Sequence, residues 1–216
     1  MSTAAEILDR AHALADRPGR ALLGIAGVPG AGKTTVAIWL VAELRRRGVA
    51  AVHVPMDGFH LSDTALDSLD RRDRKGAIDT FDGDGYLALL RRLREDREAT
   101  VWAPAFDRDI EQPIAGSIPV APDATLVVSE GNYLLMDAEP WGRVRAAFEE
   151  VWFVDVDDAL RHERLVARHV RFGKTMDEAV RWVDEVDEPN ARAILATRPS
   201  ADLIVDGDAL GAWQAT

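Results

Sequence analysis

Gly27-Val28-Pro29-Gly30-Ala31-Gly32-Lys33-Thr34 spaces two glycines, a lysine and a hydroxyl as G-x-x-x-x-G-K-[ST]. Glycines in such a loop let successive backbone N–H groups curl around phosphate oxygens, and the N-terminus of a following helix adds its positive dipole end. The backbone of Gly27, Gly30, Ala31 and Gly32 is the candidate phosphate cradle, continued by Lys33, Thr34 and Thr35. The Lys33 ammonium would reach the β- and γ-phosphates of a nucleotide, and the Thr34 hydroxyl would ligate Mg²⁺.

Two carboxylates complete the chemistry of phosphoryl transfer. Asp57 follows the apolar stretch Val49–Val54 in Pro55-Met56-Asp57-Gly58-Phe59-His60. In a parallel sheet, ligands gather at the carboxyl ends of strands, so Asp57 is placed to take the proton of an attacking hydroxyl. The bland alternative is an Asx-turn before Gly58. Phe59 and His60 are candidate substrate contacts, with packing as the competing role for the histidine. Glu130 ends the apolar run Thr125–Ser129, where a buried carboxylate is costly unless it meets a cation, a water held by one, or a donor. It is the candidate on the metal side, with turn chemistry beside Gly131 as the alternative.

Arginines provide a third feature. Arg161, Arg164, Arg168 and Arg171 recur at spacings that place all four on one face of a helix spanning 158–172. Such a stripe is either a solvated face or a lid that closes on phosphates. Arg71, Arg72, Arg74 and Lys75 form a second basic cluster, open to the same two readings.

These groups need a framework. Ala21–Ala26 reads as a buried strand before the loop, and Thr35–Arg47 as a helix with Val36, Leu40 and Leu44 on one face. A first helix is expected over 4–16, a second strand over 49–54 and a helix over 84–95. The strand-helix-strand order predicts a parallel pair with a right-handed crossover. Residues 61–123 break this rhythm and read as an insertion that builds an acceptor pocket. It contains proline-bearing edge strands at 100–106 and 117–120 around a loop with Arg108. Phe59, Phe81, Tyr86, Trp102 and Phe106 are available to line the pocket. Further strands are expected at 151–155 and 201–206. Thr175–Glu178 is a capping box, opening a helix that should stop before Pro189 and resume over 190–196.

Composition bounds the partners. The chain has 216 residues, 47% of them hydrophobic, a net charge of −11 and no cysteine. One domain with insertions is expected, without disulfides or thiolate metal sites. The acidic balance argues against nucleic acid or an anionic membrane as partner. No run reaches the length of a membrane span and the first residues lack a signal-peptide core, so the cytoplasm is the expected location. A homodimer is left open.

Taken together, the loop, Asp-Gly-Phe after the second strand, Glu-Gly after a later strand and the arginine-bearing lid resemble the uridine kinase, phosphoribulokinase and type I pantothenate kinase superfamily. The stretches VPMDGFHL, RKGAIDTFD, APAFDR and SEGNYLL are similar to its bacterial nucleoside/nucleotide kinase-like, fructose-transport-associated branch. The resemblance covers nearly the whole chain. It implies a three-layer α/β P-loop fold with a mainly parallel sheet, the insertion at 61–123 and a lid at 158–175. It also implies ATP and Mg²⁺, and a small metabolite hydroxyl (sugar, nucleoside or pantothenate-like) as acceptor. Asp57 is then the base, Glu130 lies near Mg²⁺ and Arg168 with Arg171 belongs to the lid. Lys75, Arg108, Tyr133 and Asn190, the last within a pantothenate-kinase-like tail, fall on the acceptor side. A nucleotide-dependent switch or metal-insertion GTPase is the alternative; the chain has neither an Asn-Lys-x-Asp stretch nor a cysteine.

Overall fold

A computed structural model describes residues 3–207. Five parallel strands form the main sheet: β1 (Ala21–Gly27), β2 (Ala51–His53), β5 (Leu126–Glu130), β6 (Glu150–Asp155) and β7 (Leu203–Asp206). Their order across the sheet is β2-β5-β1-β6-β7. All residues of β1 are buried, as a central strand covered on both faces requires. The chain is thus the expected three-layer α/β fold. One detail differs from the sequence reading, however: β1 and β2 are parallel but not paired, because β5 lies between them.

Helices supply the outer layers. α1 (Ala4–Ala15) opens with a capping box of Thr3 and Glu6, and buries Ile7, Leu8, Ala11 and Leu14. It packs on α2 (Lys33–Arg46) and β1. After β2 come the short α3 (Asp63–Ser68) and then α4 (Gly83–Glu95), whose Leu87, Leu90 and Leu93 are buried as their spacing demands. α5 (Trp141–Ala146) packs against α4.

A buried guanidinium ties these layers together. Arg20, just before β1, donates to the carbonyls of Leu93 at 2.7 Å, Ala121 at 2.7 Å and Ala124 at 2.9 Å. It therefore joins the end of α4 and the approach to β5 to the first strand. Arg20→Ala would leave these carbonyls without their charged donor and should lower stability by about 2–4 kcal/mol, read as a reduced urea midpoint. An unchanged midpoint would show that water replaces the side chain at no cost.

Within the insertion, β3 (Val101–Asp107) and β4 (Gln112–Val120) pair antiparallel with each other and form a separate two-stranded sheet. The expectation of two short edge strands is corrected in this respect, and β4 begins several residues earlier than the prolines suggested. A bulge at Pro104 lets the hairpin sit on the 3₁₀ turn Met56–Phe59. Gly58 makes this contact possible, since a Cβ there would lie 2.6 Å from the Pro104 carbonyl oxygen. The hairpin tip, with Arg108, is thereby carried over Asp57.

The last helices are α6 (Asp158–Arg171), α7 (Met176–Trp182) and α8 (Glu188–Leu195). The capping box of Thr175 and Glu178 starts α7 as predicted. The predicted stop before Pro189 does not occur, because a π-helical segment, Val183–Asp187, links α7 to α8 without a break. Pro189 falls in the first turn of α8, where a missing N–H is tolerated.

Candidate functional site

The phosphate loop runs from the end of β1 into α2. Gly30 and Gly32 have φ of 82° and 88°, a left-handed conformation that glycine adopts without steric cost. Gly32 is also the N-cap of α2 and makes no side-chain cap bond. The leading N–H groups of the helix are therefore not occupied by a capping side chain and point toward the loop.

Lys33 is only 8% exposed, and its Nζ donates to the Val28 carbonyl at 3.0 Å. Burial lowers its pKa to about 8, against the opposing pull of Glu130 and Asp57. Thr34 donates from Oγ1 to Glu130 Oε1 at 3.0 Å, which supplies the donor that a 5% exposed carboxylate requires. His53, at the end of β2, stands 3.8 Å from the same Glu130 oxygen.

Asp57 enters from the 3₁₀ turn after β2, and Arg108 Nη2 donates to its Oδ2. Burial raises the Asp57 carboxyl, but His60 in its protonated form and the positive charges of Arg108, Lys33 and Arg168 outweigh this and hold it below the ordinary carboxylate value. Burial lowers the His60 pKa and favours the neutral ring, against the opposing pull of the neighbouring Asp57. Its Nδ1 donates to the Asp57 backbone carbonyl at 2.9 Å, leaving Nε2 as an acceptor. The ring sits between Phe81 and Phe106, with centroids 4.0 and 4.7 Å away.

These groups share a cleft of about 350 Å³. Gly30, Lys33, Thr34, Asp57, His60, Lys75, Arg108, Glu130, Arg168 and Asn190 all line it, so most of the sequence-derived site converges. Lys75 Nζ donates to Asp63 Oδ1 at 2.6 Å and to the Glu111 carbonyl. Asn190 donates to the Val186 carbonyl at 2.9 Å. Gly27 and Ala31 are buried beneath the loop, and Gly32 and Thr35 lie at the start of α2.

Other candidates stand elsewhere. Phe59 packs against the core, its ring 5.2 Å from that of Tyr86, and Trp102 is exposed on the hairpin. Of the aromatics expected at the pocket, Phe81 and Phe106 are the two that line it. Tyr133 is buried, and its hydroxyl donates to the Gly76 carbonyl at 2.6 Å, so it fixes the turn after Lys75 from behind. Burial raises its pKa, with the charge of Asp187 acting in the same direction.

The arginine stripe also divides. Arg161 is 2% exposed and is paired with Asp158 at 2.7 Å and with Glu188, so it anchors α6 to α8 instead of facing ligand. It packs on the phosphate loop, since a Cβ at Gly30 would lie 3.1 Å from the Arg161 carbonyl oxygen. Arg164 is exposed, and Arg168 reaches the cleft. Arg171 stacks over Phe172 with Cζ 6.0 Å from the ring centroid, and borders a separate groove between α6 and α7. The basic cluster of the insertion is similarly split. Arg74 pairs with Asp79 at 2.8 Å and Arg71 with the same carboxylate at 3.5 Å, while Arg72 joins Lys75 in the cleft.

Some lining residues carried no signal in the sequence. His169 Nε2 lies 2.8 Å from Asp187 Oδ2, and Lys174 Nζ lies 4.4 Å from the Trp182 ring centroid; all four line the cleft. The π segment turns Asp187 inward, which an unbroken α-helical period does not predict.

Comparison with known proteins gives the chain its relatives. The profile described as the phosphoribulokinase/uridine kinase family matches residues 22–207. A protein of Schizosaccharomyces pombe, provisionally named a uridine kinase, is 32% identical over 208 residues, covering 93% of this chain and 88% of its own. An ATP-dependent kinase-like protein of Aspergillus versicolor is 37% identical over 162 residues, covering 71% of this chain and 94% of its own. A crystal structure from Silicibacter sp. TM1040, provisionally named a fructose transport system kinase, superposes with a TM-score of 0.86 at 37% identity, covering 95% of this chain and all of that one. The chain belongs to the phosphoribulokinase/uridine kinase family.

Proposed function

We propose that this protein transfers the γ-phosphoryl group of ATP to a hydroxyl of a small metabolite. The observation that carries the reading is the meeting of Lys33, Thr34 and Glu130 with Asp57 in one cleft. Phosphoryl transfer asks little covalent chemistry of a protein, and rests on positioning and charge stabilisation. The loop amides and Lys33 hold the β- and γ-phosphates, Arg168 faces them from α6, and Asp57 accepts the proton of the attacking hydroxyl. Lys75, Arg108, His60 and Asn190 form the acceptor side.

A hydroxyl and a carboxylate oxygen 3.0 Å apart, Thr34 and Glu130, are a hard oxygen pair suited to Mg²⁺. When bound, the ion supplies charge neutralisation at the phosphates. Among the described residues no group of three or more His, Cys, Asp or Glu side chains could hold a metal.

Assaying ADP release with ATP across sugars, nucleosides and pantothenate tests the reading. One acceptor class should raise the rate well above that of ATP alone. Turnover indifferent to every acceptor, and equal with GTP, would favour a nucleotide switch instead.

The lowered pKa of Lys33 gives a pH prediction. Bound phosphates favour the ammonium form, so the lysine pKa rises on binding. Below pH 8 the free protein already carries the proton and affinity is flat. Above it, binding must draw a proton onto Lys33, and ATP affinity should fall by up to about tenfold per pH unit. Calorimetry in buffers of different ionisation enthalpy should detect proton uptake at pH 9 and none at pH 7. No uptake at pH 9 would place the charge elsewhere.

A further inference from the structure

The β3–β4 hairpin is seated on the turn that carries Asp57, through the close contact of Gly58 and Pro104. From the hairpin tip Arg108 reaches down and binds Asp57 Oδ2, while its Cζ lies 4.9 Å from the Phe106 ring centroid. Its side chain is 42% exposed, so the contact forms at the mouth of the cleft. Asp57 therefore faces a cation on the side from which an acceptor must enter.

This arrangement addresses a problem common to kinases. Water is small, abundant and able to replace the acceptor hydroxyl, so a base that is always available wastes nucleotide. A guanidinium bound to the carboxylate both occupies a proton-accepting oxygen and weakens it as a base. We propose that Arg108 is a specificity residue that guards Asp57 against water and releases it when an acceptor's own oxygen atoms take over the guanidinium. The inference rests on the reading of Asp57 as the base.

The side reaction it suppresses is hydrolysis. A water oxygen forms a bond to the γ-phosphorus, the bond from that phosphorus to the β–γ bridging oxygen breaks, and ADP leaves with its electron pair. The water proton passes to the Asp57 carboxylate and then to solvent.

Two measurements test the proposal without knowledge of the acceptor. With MgATP alone, Arg108→Gln should raise phosphate release by about tenfold, a fraction of what a free general base contributes. Adding Asp57→Asn should abolish the rise. No rise in Arg108→Gln overturns the guard, and the base reading then stands or falls on Asp57→Asn with acceptor present. A rise that persists in the double variant shows that Asp57 is not the base, and both readings fail. The second measurement is independent of turnover. In nucleotide-free protein, Asp57→Ala should speed amide hydrogen exchange across residues 108–111, because the tip loses one of its anchors, Lys75 on the Glu111 carbonyl being another. Unchanged exchange there would show that the contact does not hold the hairpin, and would overturn the proposal.

Discussion

Asp57→Asn should lower acceptor-dependent ADP release by about 10²- to 10⁴-fold, the usual contribution of a positioned base. Asparagine keeps the size and much of the hydrogen bonding but cannot take a proton. ATP affinity should hold or improve. Asp57 is a negative charge among Lys33, Arg108 and Arg168, and removing it leaves those cations free to meet the triphosphate. The measurement is a binding titration beside an acceptor-dependent turnover assay on both proteins. Parallel losses of binding and turnover would make Asp57 a structural residue or a metal ligand.

Lys33→Ala is expected to cost about 10²-fold or more in turnover. The native ammonium is almost fully buried, so its field at the phosphates is little screened, and no other lysine lies at the loop. A surface lysine would leave a smaller mark on removal. The fold should survive, because alanine relieves the burial of a charge and costs Val28 one hydrogen bond. Near-normal turnover in a folded variant would remove the phosphate-loop assignment. A melting curve recorded beside the assay separates this from unfolding.

Contiguity decided what the sequence could reveal. The loop, its strand and its helix lie within one stretch, and the pattern that identifies them is local. Asp57 and Glu130 were legible because each ends an apolar run, and the ends of parallel strands face one side of a sheet. Arginine spacing established a helix face but not what stands opposite. Arg161 meets Glu188, a partner far along the chain, and so became an anchor where the stripe was open to a solvated face or a phosphate-facing lid. Pro189 announced a stop, yet the π segment before it absorbed the turn, and His169 with Asp187 entered the cleft unforeseen. Tyr133 and Phe59 carried the composition of a pocket and the burial of a core. Such outcomes depend on tertiary packing, which a one-dimensional period does not contain.

The pairing of β2 with β5 has a consequence for descent. Everything from Leu61 to Asp123 leaves the sheet after one strand and returns before its immediate neighbour, so the wall proposed to meet the acceptor is an excursion between two adjacent rungs. Within it α4 is tied to the core by Leu87, Leu90, Leu93 and Arg20, but the hairpin tip beyond Asp107 can be lengthened, shortened or exchanged while the ladder that spaces Asp57, Glu130 and the loop stays as it is. A lineage built this way can change what it phosphorylates without having to reinvent how it does so.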